Sequence, residues 1–398
     1  MLVSLWFMFL TFPIMVIRVN TVENEIEWRW TRMVFIGISA FFLSFVWRYF
    51  IKKQETGGQN SSIGEFIKRA FNFNLILNRY KLQVFIIFSI IVVAFPFLFS
   101  IYQTNIMSTA LIYVILGLGL NIVVGLAGLL DLGYVAFYAV GAYSYALLNY
   151  HFGIGFWLAL PIGAGMGALF GILLGYPVLR LRGDYLAIVT LGFGEIIRLI
   201  LENWNDFSFG PSGIANIPRP GFFGINFSLS AASNYLYFLL IGLTLLTIFV
   251  VNRLQDSRIG RAWIALREDE IACQAMGIDK TKTKLTAFAL GATWAGMAGV
   301  LFAAKTTFIN PASFTIWESI IILCVVVLGG MGSVIGVILG ALVLILLPEY
   351  LRAFSEYRML VFGFILVVMM IFRPGGIFPN IRRTYKFQEN KNQLKKRL

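Results

Sequence analysis

Uninterrupted apolar runs of membrane-spanning length recur along most of this 398-residue chain. A helix needs about 20 predominantly apolar residues to cross a hydrocarbon core of about 30 Å. In lipid only helices and closed barrels satisfy every backbone hydrogen bond, and apolar runs without polar alternation exclude the barrel. The sequence therefore predicts an all-α, polytopic integral membrane protein. A charged fraction of only 13% excludes the surface of an ordinary soluble protein.

About twelve segments are predicted to span the membrane, and about ten of them belong to one core. They cover residues 1–17, 33–51, 83–102, 106–124, 134–149, 156–178, 185–201, 235–252, 285–304, 316–330, 334–350 and 358–372. We expect residues 1–82 to form an N-terminal extension of two spans and a linker, residues 83–375 to form the core, and residues 376–398 to form a basic tail.

The net charge of +13 is concentrated in four connecting segments. These are the loop 52–82, the turn near residue 180, the loop 253–284 and the C-terminal tail. All four fall on the same side when twelve spans are counted, and an excess of Lys and Arg marks the cytoplasmic side. The charge thus predicts a cytoplasmic C-terminus, and it is explained by the lipid membrane without a nucleic-acid partner.

The cytoplasmic loop 253–284 has a structure of its own. Ile264, Ile271 and Ala275 are seven and eleven residues apart, which predicts one apolar stripe on a short helix. Acidic residues suit the positive end of a helix dipole, and three of them crowd its start: Glu268, Asp269 and Glu270. Gly277 is predicted to end the helix in the left-handed conformation. A short, capped, amphipathic helix between spans is typical of a docking element.

Two ionisable residues lie inside a predicted span, Glu195 and Arg198. Each charge at the membrane centre costs about 2.5 to 3.5 kcal/mol, so such residues are candidates for function. With Gly192 and Gly194 beside it, the pair has two interpretations: it lines a polar pathway, or it is an ion pair that shields itself within one helix. Other acids, Asp131, Glu318 and Glu349, lie near span ends, where we expect them to be solvated.

Glycine recurs at every fourth position in two of the spans. The first series is Gly163, Gly167, Gly171 and Gly175, and the second is Gly332, Gly336 and Gly340. This spacing lines one helix face with small residues, which favours close helix packing over a direct place in a pathway.

The chain lacks the usual motifs of catalysis. A P-loop and a nucleophile elbow are both missing from the sequence, so we expect no ATPase or hydrolase site of its own. One histidine, His151, and two cysteines, Cys273 and Cys324, are too few for a zinc site, so no metal is expected. The chain is therefore not expected to be an enzyme.

Four stretches in order resemble the branched-chain amino acid permease subunits of ATP-binding cassette (ABC) importers. They are residues 118–142, 181–198, 265–278 and 328–333, and the last two read ALREDEIACQAMGI and LGGMGS. The resemblance extends over residues 83–375 and does not securely cover the N-terminal extension.

The resemblance implies an inner-membrane subunit that pairs with a second permease, two cytoplasmic ATPases and an extracytoplasmic solute-binding protein. ATP would be bound by the ATPases, with no cofactor in this chain. It also implies that the predicted helix, Arg267 to Gly277, is the coupling helix, because Glu270, Ala272 and Gly277 match the family pattern; Cys273 and Gln274 depart from it. We expect Glu270→Arg, at a loop surface, to weaken ATPase docking without unfolding the protein.

Other functions stay open from the sequence. One alternative within the same class is a permease whose solute is urea or a short amide instead of a branched-chain amino acid. An ion-coupled secondary transporter would need no ATPase, so co-purification with a P-loop ATPase separates the two mechanisms. A non-transporting membrane scaffold is disfavoured by the glycine-lined helices and by Glu195 and Arg198.

Overall fold

The computed structural model describes residues 17–20, 25–28, 92–178, 181, 183–221, 228–350, 363–364, 367, 369, 373 and 375–378. The chain divides into two compact units, Met1–Ile90 and Ile91–Leu398. The predicted spans 1–17, 33–51 and 358–372 fall almost wholly outside the described residues, as do the loop 52–82 and the tail from residue 379. The assignment of residues 1–82 as an accessory extension stays a prediction.

In the first unit the described residues form one antiparallel pair of strands. Strand β1 (Ile17–Asn20) pairs with β2 (Glu25–Trp28), and Ile17 is opposite Trp28. A second, two-residue pair occurs in the other unit, where β3 (Ile214–Ala215) pairs with β4 (Phe308–Ile309). The expectation of a purely helical chain missed both pairs, because segments this short carry no periodic signal. The chain is nevertheless mainly helical.

The second unit is built from eleven α-helices among its described residues, apart from a helical stretch over residues 92–98. In order they are α1 (Ile101–Leu120), α2 (Tyr134–Phe152), α3 (Phe156–Val178), α4 (Asp184–Asn203), α5 (Asn205–Ser208), α6 (Leu229–Asp256), α7 (Arg258–Glu268), α8 (Glu270–Ala275), α9 (Lys280–Thr306), α10 (Ile316–Gly329) and α11 (Val334–Tyr350). A π-helix, Asn121–Leu126, continues α1.

Side-chain caps fix where several of these helices begin. Ser100 forms a capping box at the start of α1, and this break separates α1 from the preceding helical stretch. Ser257 caps α7, Asp269 caps α8 and Asp279 caps α9. Each cap satisfies backbone N–H groups that a helix start leaves without an intrahelical acceptor. The boundaries of the loop between α6 and α9 are therefore set by local sequence.

Five helical segments in the described residues are long and apolar enough to cross a membrane. They are Ile101–Leu126, Phe156–Val178, Ser230–Asp256, Lys280–Thr306 and Pro311–Gly329, while Val334–Tyr350 is apolar but shorter. The predicted spans 134–149 and 185–201 coincide with α2 and α4. The polytopic, mostly helical prediction is confirmed, and the count of twelve spans stays a prediction.

Helix α9 lies at the centre of the core, where it contacts α3 through glycine. A Cβ added at Gly167 would lie 2.4 Å from the carbonyl oxygen of Ala292, and one at Gly171 would lie 2.6 Å from the Ala292 Cβ. On α9 itself, a Cβ at Gly296 would lie 2.3 Å from the Gly163 carbonyl oxygen. The four-residue series on α3 therefore packs two backbones together, as its spacing predicts.

The second glycine series is only partly on a helix face. Gly336 and Gly340 lie on α11 against α10, where added Cβ atoms would approach the carbonyl oxygens of Gly329 and Val325 at 2.1 and 2.6 Å. Gly332 precedes α11 and has a φ of +82°, so it belongs to the turn before the helix. Its inclusion in that helical series is wrong.

Candidate functional site

The loop between α6 and α9 forms two helices where the sequence predicts one. Helix α7 ends at Glu268, Asp269 takes an extended conformation, and α8 starts at Glu270. The Asp269 carboxylate accepts hydrogen bonds from the backbone N–H groups of Ile271 at 2.8 Å and Ala272 at 3.0 Å. The prediction of a single stripe from Ile264 to Ala275 is wrong, because a capping aspartate competes with helix continuation at that point.

The end of α8 follows the predicted pattern. Gly277 has a φ of +82°, and its N–H donates to the Gln274 carbonyl at 3.1 Å. The N–H of Ile278 donates to the Cys273 carbonyl at 3.0 Å. This pair of bonds is the Schellman arrangement, which glycine adopts without the penalty of a side chain. The prediction that Gly277 ends the helix is confirmed.

A buried ion pair ties α8 to the first turns of α9. The ammonium group of Lys284 lies 2.5 Å from a Glu270 carboxylate oxygen; the Lys284 side chain is 3% exposed and that of Glu270 is 20% exposed. The expectation that Glu270 lies at an open loop surface is therefore wrong. Glu270→Arg would place a second positive charge beside Lys284, and a buried charge without a partner is strongly destabilising.

Two further contacts hold α7 against the transmembrane core. Trp263 is fully buried, and its indole N–H donates to the Thr283 carbonyl at 2.9 Å. The guanidinium of Arg267 donates to the Gly125 carbonyl of the π-helix at 2.6 Å. Arg267 also covers Gly128, where an added Cβ would lie 2.6 Å from the Arg267 Cγ. The loop between α6 and α9 is thus fixed to both α9 and the π-helix.

The π-helix is in turn fixed to the turn before α11. The Asn121 side-chain oxygen accepts a hydrogen bond from the Gly332 N–H at 2.8 Å, and Asn121 is 1% exposed. Gly125 is needed beside it, since an added Cβ would lie 2.6 Å from the Gly332 nitrogen. Contacts therefore run from α7 through Arg267 and the π-helix to the segment 328–333.

The exposed surface of α8 and of the residue that follows it, Met276, is largely apolar. Ile271 is 71% exposed and Met276 is 83% exposed, and Ala272 lies between them at the surface. A cleft of about 310 Å³ borders this surface and is lined, among others, by Glu268, Asp269, residues 127–129, Leu181, Gly183 and Leu186. Cys273 is buried, so its departure from the family pattern affects the packing of α8, whereas Gln274 is exposed.

The charges on α4, two of which lie in the predicted span 185–201, form a set of three. Arg198 donates to Glu195 at 2.5 and 2.9 Å and to Glu202 at 2.6 Å. Their side chains are 21%, 39% and 38% exposed, respectively. Glu202 was missed because the predicted span ends at residue 201. Each charged side chain in this set forms an ion pair within the same helix, which supports the self-shielding interpretation. The side chains are also partly exposed, so the pathway interpretation stays open.

The glycines near this set differ from each other. An added Cβ at Gly192 would meet no atom within 4 Å, whereas at Gly194 it would lie 3.2 Å from the Gly133 Cα. Gly194 therefore lets α4 approach the turn before α2. Gly192 leaves an open surface on α4, beside the exposed side chains of Ile188 and Ile196.

Asp131 is completely buried in the turn between the π-helix and α2, outside the spanning helices. One of its carboxylate oxygens accepts from the Gly133 N–H at 2.9 Å, and the other has no hydrogen-bond partner. Burial raises the pKa of Asp131 from 3.8 to about 7, and the Gly133 bond offsets part of that rise. The expectation that Asp131 is solvated is wrong.

The two other acids near span ends are each hydrogen-bonded to a tyrosine. Glu318 accepts a hydrogen bond from Tyr113, and Glu349 accepts one from Tyr102. Both carboxylates are half-buried. The expectation that solvation alone accounts for these two acids is therefore incomplete. Their tyrosine partners lie 205 and 247 residues away in the sequence, so the sequence did not indicate either contact.

Comparison with known proteins identifies the family. The sequence profile described as "Branched-chain amino acid transport system / permease component" matches residues 102–370, more than half of the chain. The chain belongs to this permease family. It is 45% identical over 385 residues to the high-affinity branched-chain amino acid transport system permease protein LivM of Escherichia coli (strain K12), covering 92% of this chain and 88% of that relative.

Other relatives of this permease are more distant. The probable branched-chain amino acid transport permease protein LivM of Methanocaldococcus jannaschii is 26% identical, covering 67% of this chain and 90% of the relative. The autoinducer 2 import system permease protein LsrC of Yersinia enterocolitica is 27% identical, covering 68% of this chain and 74% of the relative. No solved structure matches the permease.

The similarity to the E. coli protein also reaches into the N-terminal extension. Of the 398 residues, 92% is about 366, whereas only 316 residues follow residue 82, so at least about 50 of the first 82 residues are included. Part of residues 1–82 is therefore shared with that relative.

Proposed function

We propose that this permease forms half of the translocation pathway of an ATP-driven importer for branched-chain amino acids. The 45% identity to the E. coli LivM permease across 92% of the chain carries this proposal. The chain acts as a transport subunit without an ATPase site of its own. ATP is bound and hydrolysed by two partner subunits, and specificity rests largely on an extracytoplasmic binding protein.

The ATPase docks on the exposed apolar side of α8, around Ile271 and Met276. Movement of α8 is passed on because the Glu270–Lys284 pair joins α8 to α9, and Trp263 joins α7 to α9. Arg267 passes the same movement to the π-helix that ends α1. A docked ATPase that closes would thus move α1 and α9 together, and alternating access follows if these helices tilt.

The second permease pairs with this chain along α4. The triad of Glu195, Arg198 and Glu202 and the open surface at Gly192 lie on a helix with many exposed apolar side chains, including Ile196 and Ile200. A partner there would remove these charges and apolar groups from lipid. The charge pattern supports a bacterial inner-membrane location, with the coupling loop and the C-terminus in the cytoplasm.

Transport by the reconstituted importer tests the function. The two permeases, the ATPases and the binding protein are placed in liposomes, and uptake of labelled leucine is measured with and without ATP. We expect ATP-dependent uptake that survives collapse of ion gradients. Uptake of labelled urea in preference to leucine would overturn the substrate assignment. Uptake that needs an ion gradient and no ATPase would overturn the importer mechanism.

A further inference from the structure

A polar cluster lies at the end of α9 opposite the coupling loop, and neither docking nor the α4 triad uses it. The Lys305 ammonium donates to the Thr109 hydroxyl of α1, and the Glu318 carboxylate of α10 accepts from the Tyr113 hydroxyl of α1. Thr109 and Tyr113 are four residues apart, so they lie on one face of α1, separated by about 6 Å along its axis. All four side chains are half-buried.

The charged groups of Lys305 and Glu318 are hydrogen-bonded to neutral hydroxyls and do not contact each other. Among the described residues, neither Lys305 nor Glu318 has an oppositely charged group within 4.0 Å. Both groups are half-buried near helix ends, and a buried charge normally pairs with an opposite charge as well as with hydrogen-bonding groups. A purely structural pair gains most by direct contact, whereas these two charges are held by separate hydroxyls four residues apart on α1, an arrangement that suits a ligand carrying both charges.

An apolar surface adjoins the charged pair. Phe302 lies one turn before Lys305 on α9, with its ring centroid 5.3 Å from that of Tyr138 and 5.8 Å from that of Phe314. Tyr138 and Phe314 are buried, whereas Phe302 is only partly covered. A ligand held by its charged end at Lys305 and Glu318 would therefore meet an aromatic surface with its apolar end.

We propose that Lys305 and Glu318 form a transient binding site for the zwitterionic head of a free amino acid as it crosses the membrane. The Lys305 ammonium donates to the α-carboxylate, and the Glu318 carboxylate accepts from the α-ammonium. Both are charge-assisted hydrogen bonds, and Thr109 and Tyr113 occupy their places when the site is empty. The proposal rests on the proposed function, since it concerns how the same substrate is recognised within the membrane.

Variants that cut the same hydrogen bond from either side test the proposal. Glu318→Gln and Lys305→Met remove the charges, while Tyr113→Phe and Thr109→Val remove only the hydroxyls that hold them. Initial rates of labelled leucine uptake are measured in liposomes containing the complete importer and its binding protein. Basal ATPase activity and the thermal midpoint of the complex report whether each variant is folded and assembled.

Uptake is expected to fall at least about tenfold in both charge variants, which corresponds to about 1.4 kcal/mol, and to stay within about twofold in both hydroxyl variants. ATPase activity and thermal midpoint should stay near wild type in all four. Lys305→Arg should restore most of the uptake. Lys305→Gln, which keeps hydrogen-bond donors without the charge, replaces the Met variant if that variant does not fold, and it should be equally slow.

A structural hydrogen bond would give a different pattern. If Tyr113→Phe lost as much uptake as Glu318→Gln, the bond itself would matter and the zwitterion site would be refuted. Near-normal uptake in both charge variants would also refute it, while leaving the importer function intact. If the wild-type complex took up no leucine, the proposed function would fail first and the site with it.

Discussion

Removal of the Glu270 carboxylate is expected to destabilise the coupling loop strongly. Glu270→Gln leaves the Lys284 ammonium 3% exposed and without its anion. Breaking a buried ion pair on one side costs about 3 to 5 kcal/mol, and the 20% exposure of Glu270 places this case near the lower limit. We therefore expect a loss of about 3 kcal/mol in the free energy of unfolding.

A double-mutant cycle separates the pair from the loop as a whole. Lys284→Met removes the buried charge and leaves Glu270 partly solvated, so we expect a smaller loss of about 1 kcal/mol. The combined Glu270→Gln/Lys284→Met variant should be more stable than Glu270→Gln alone, with a coupling energy of about 2 kcal/mol. Stability is measured from denaturant unfolding of the purified permease in detergent. A Glu270→Gln variant within about 0.5 kcal/mol of wild type would refute the buried pair.

Three further predictions concern other parts of the permease. Gly167→Ala should lower stability by about 1 to 3 kcal/mol by forcing α3 and α9 apart, whereas Gly165→Ala on the open side of α3 should cost nothing; thermal unfolding compares them. Asp131→Asn should match wild type in stability near pH 4 and be more stable near pH 8. The folded protein holds the Asp131 proton up to a pKa of about 7, so the stability of the wild type falls as the pH rises from about 4 to 7. A rise of about three pKa units corresponds to a loss of about 4 kcal/mol. Glu195→Ala should change stability by less than about 1 kcal/mol, because Arg198 keeps Glu202, and normal leucine uptake in that variant would identify the triad as self-shielding.

Features that depend on neighbouring residues in the sequence were predicted well. The stop at Gly277 and the glycine packing of α3 follow from local conformation and from a four-residue period, and both are found. Asp269 and Glu270 were correctly placed at a helix start, whereas Glu268 is the last residue of α7. The break of the loop into two helices was missed, because Asp269 fits equally well in the first turn of a longer helix and at a cap.

Features that depend on distant contacts were not predictable. Lys284 lies in a charged stretch and has the sequence context of a solvated lysine, yet it is buried against Glu270. Asp131 and Glu318 lie at span ends. Only the packing of other helices shows that Asp131 is fully buried and that Glu318 is hydrogen-bonded to Tyr113. A single sequence contains no information about which helix covers a span end, so burial of these charges required the structure.

The most direct test of the coupling account is whether the ATPase is retained when the apolar side of α8 is made acidic. Ile271→Asp/Met276→Asp changes two side chains that are 71% and 83% exposed, so the permease should fold normally. Ile259→Asp, at an exposed position on α7, is the matched control. We predict that the double variant purifies without the ATPase and loses ATP-dependent leucine uptake, while the control keeps both. Full retention of the ATPase and of uptake in the double variant would contradict the assignment of α8 as the coupling helix.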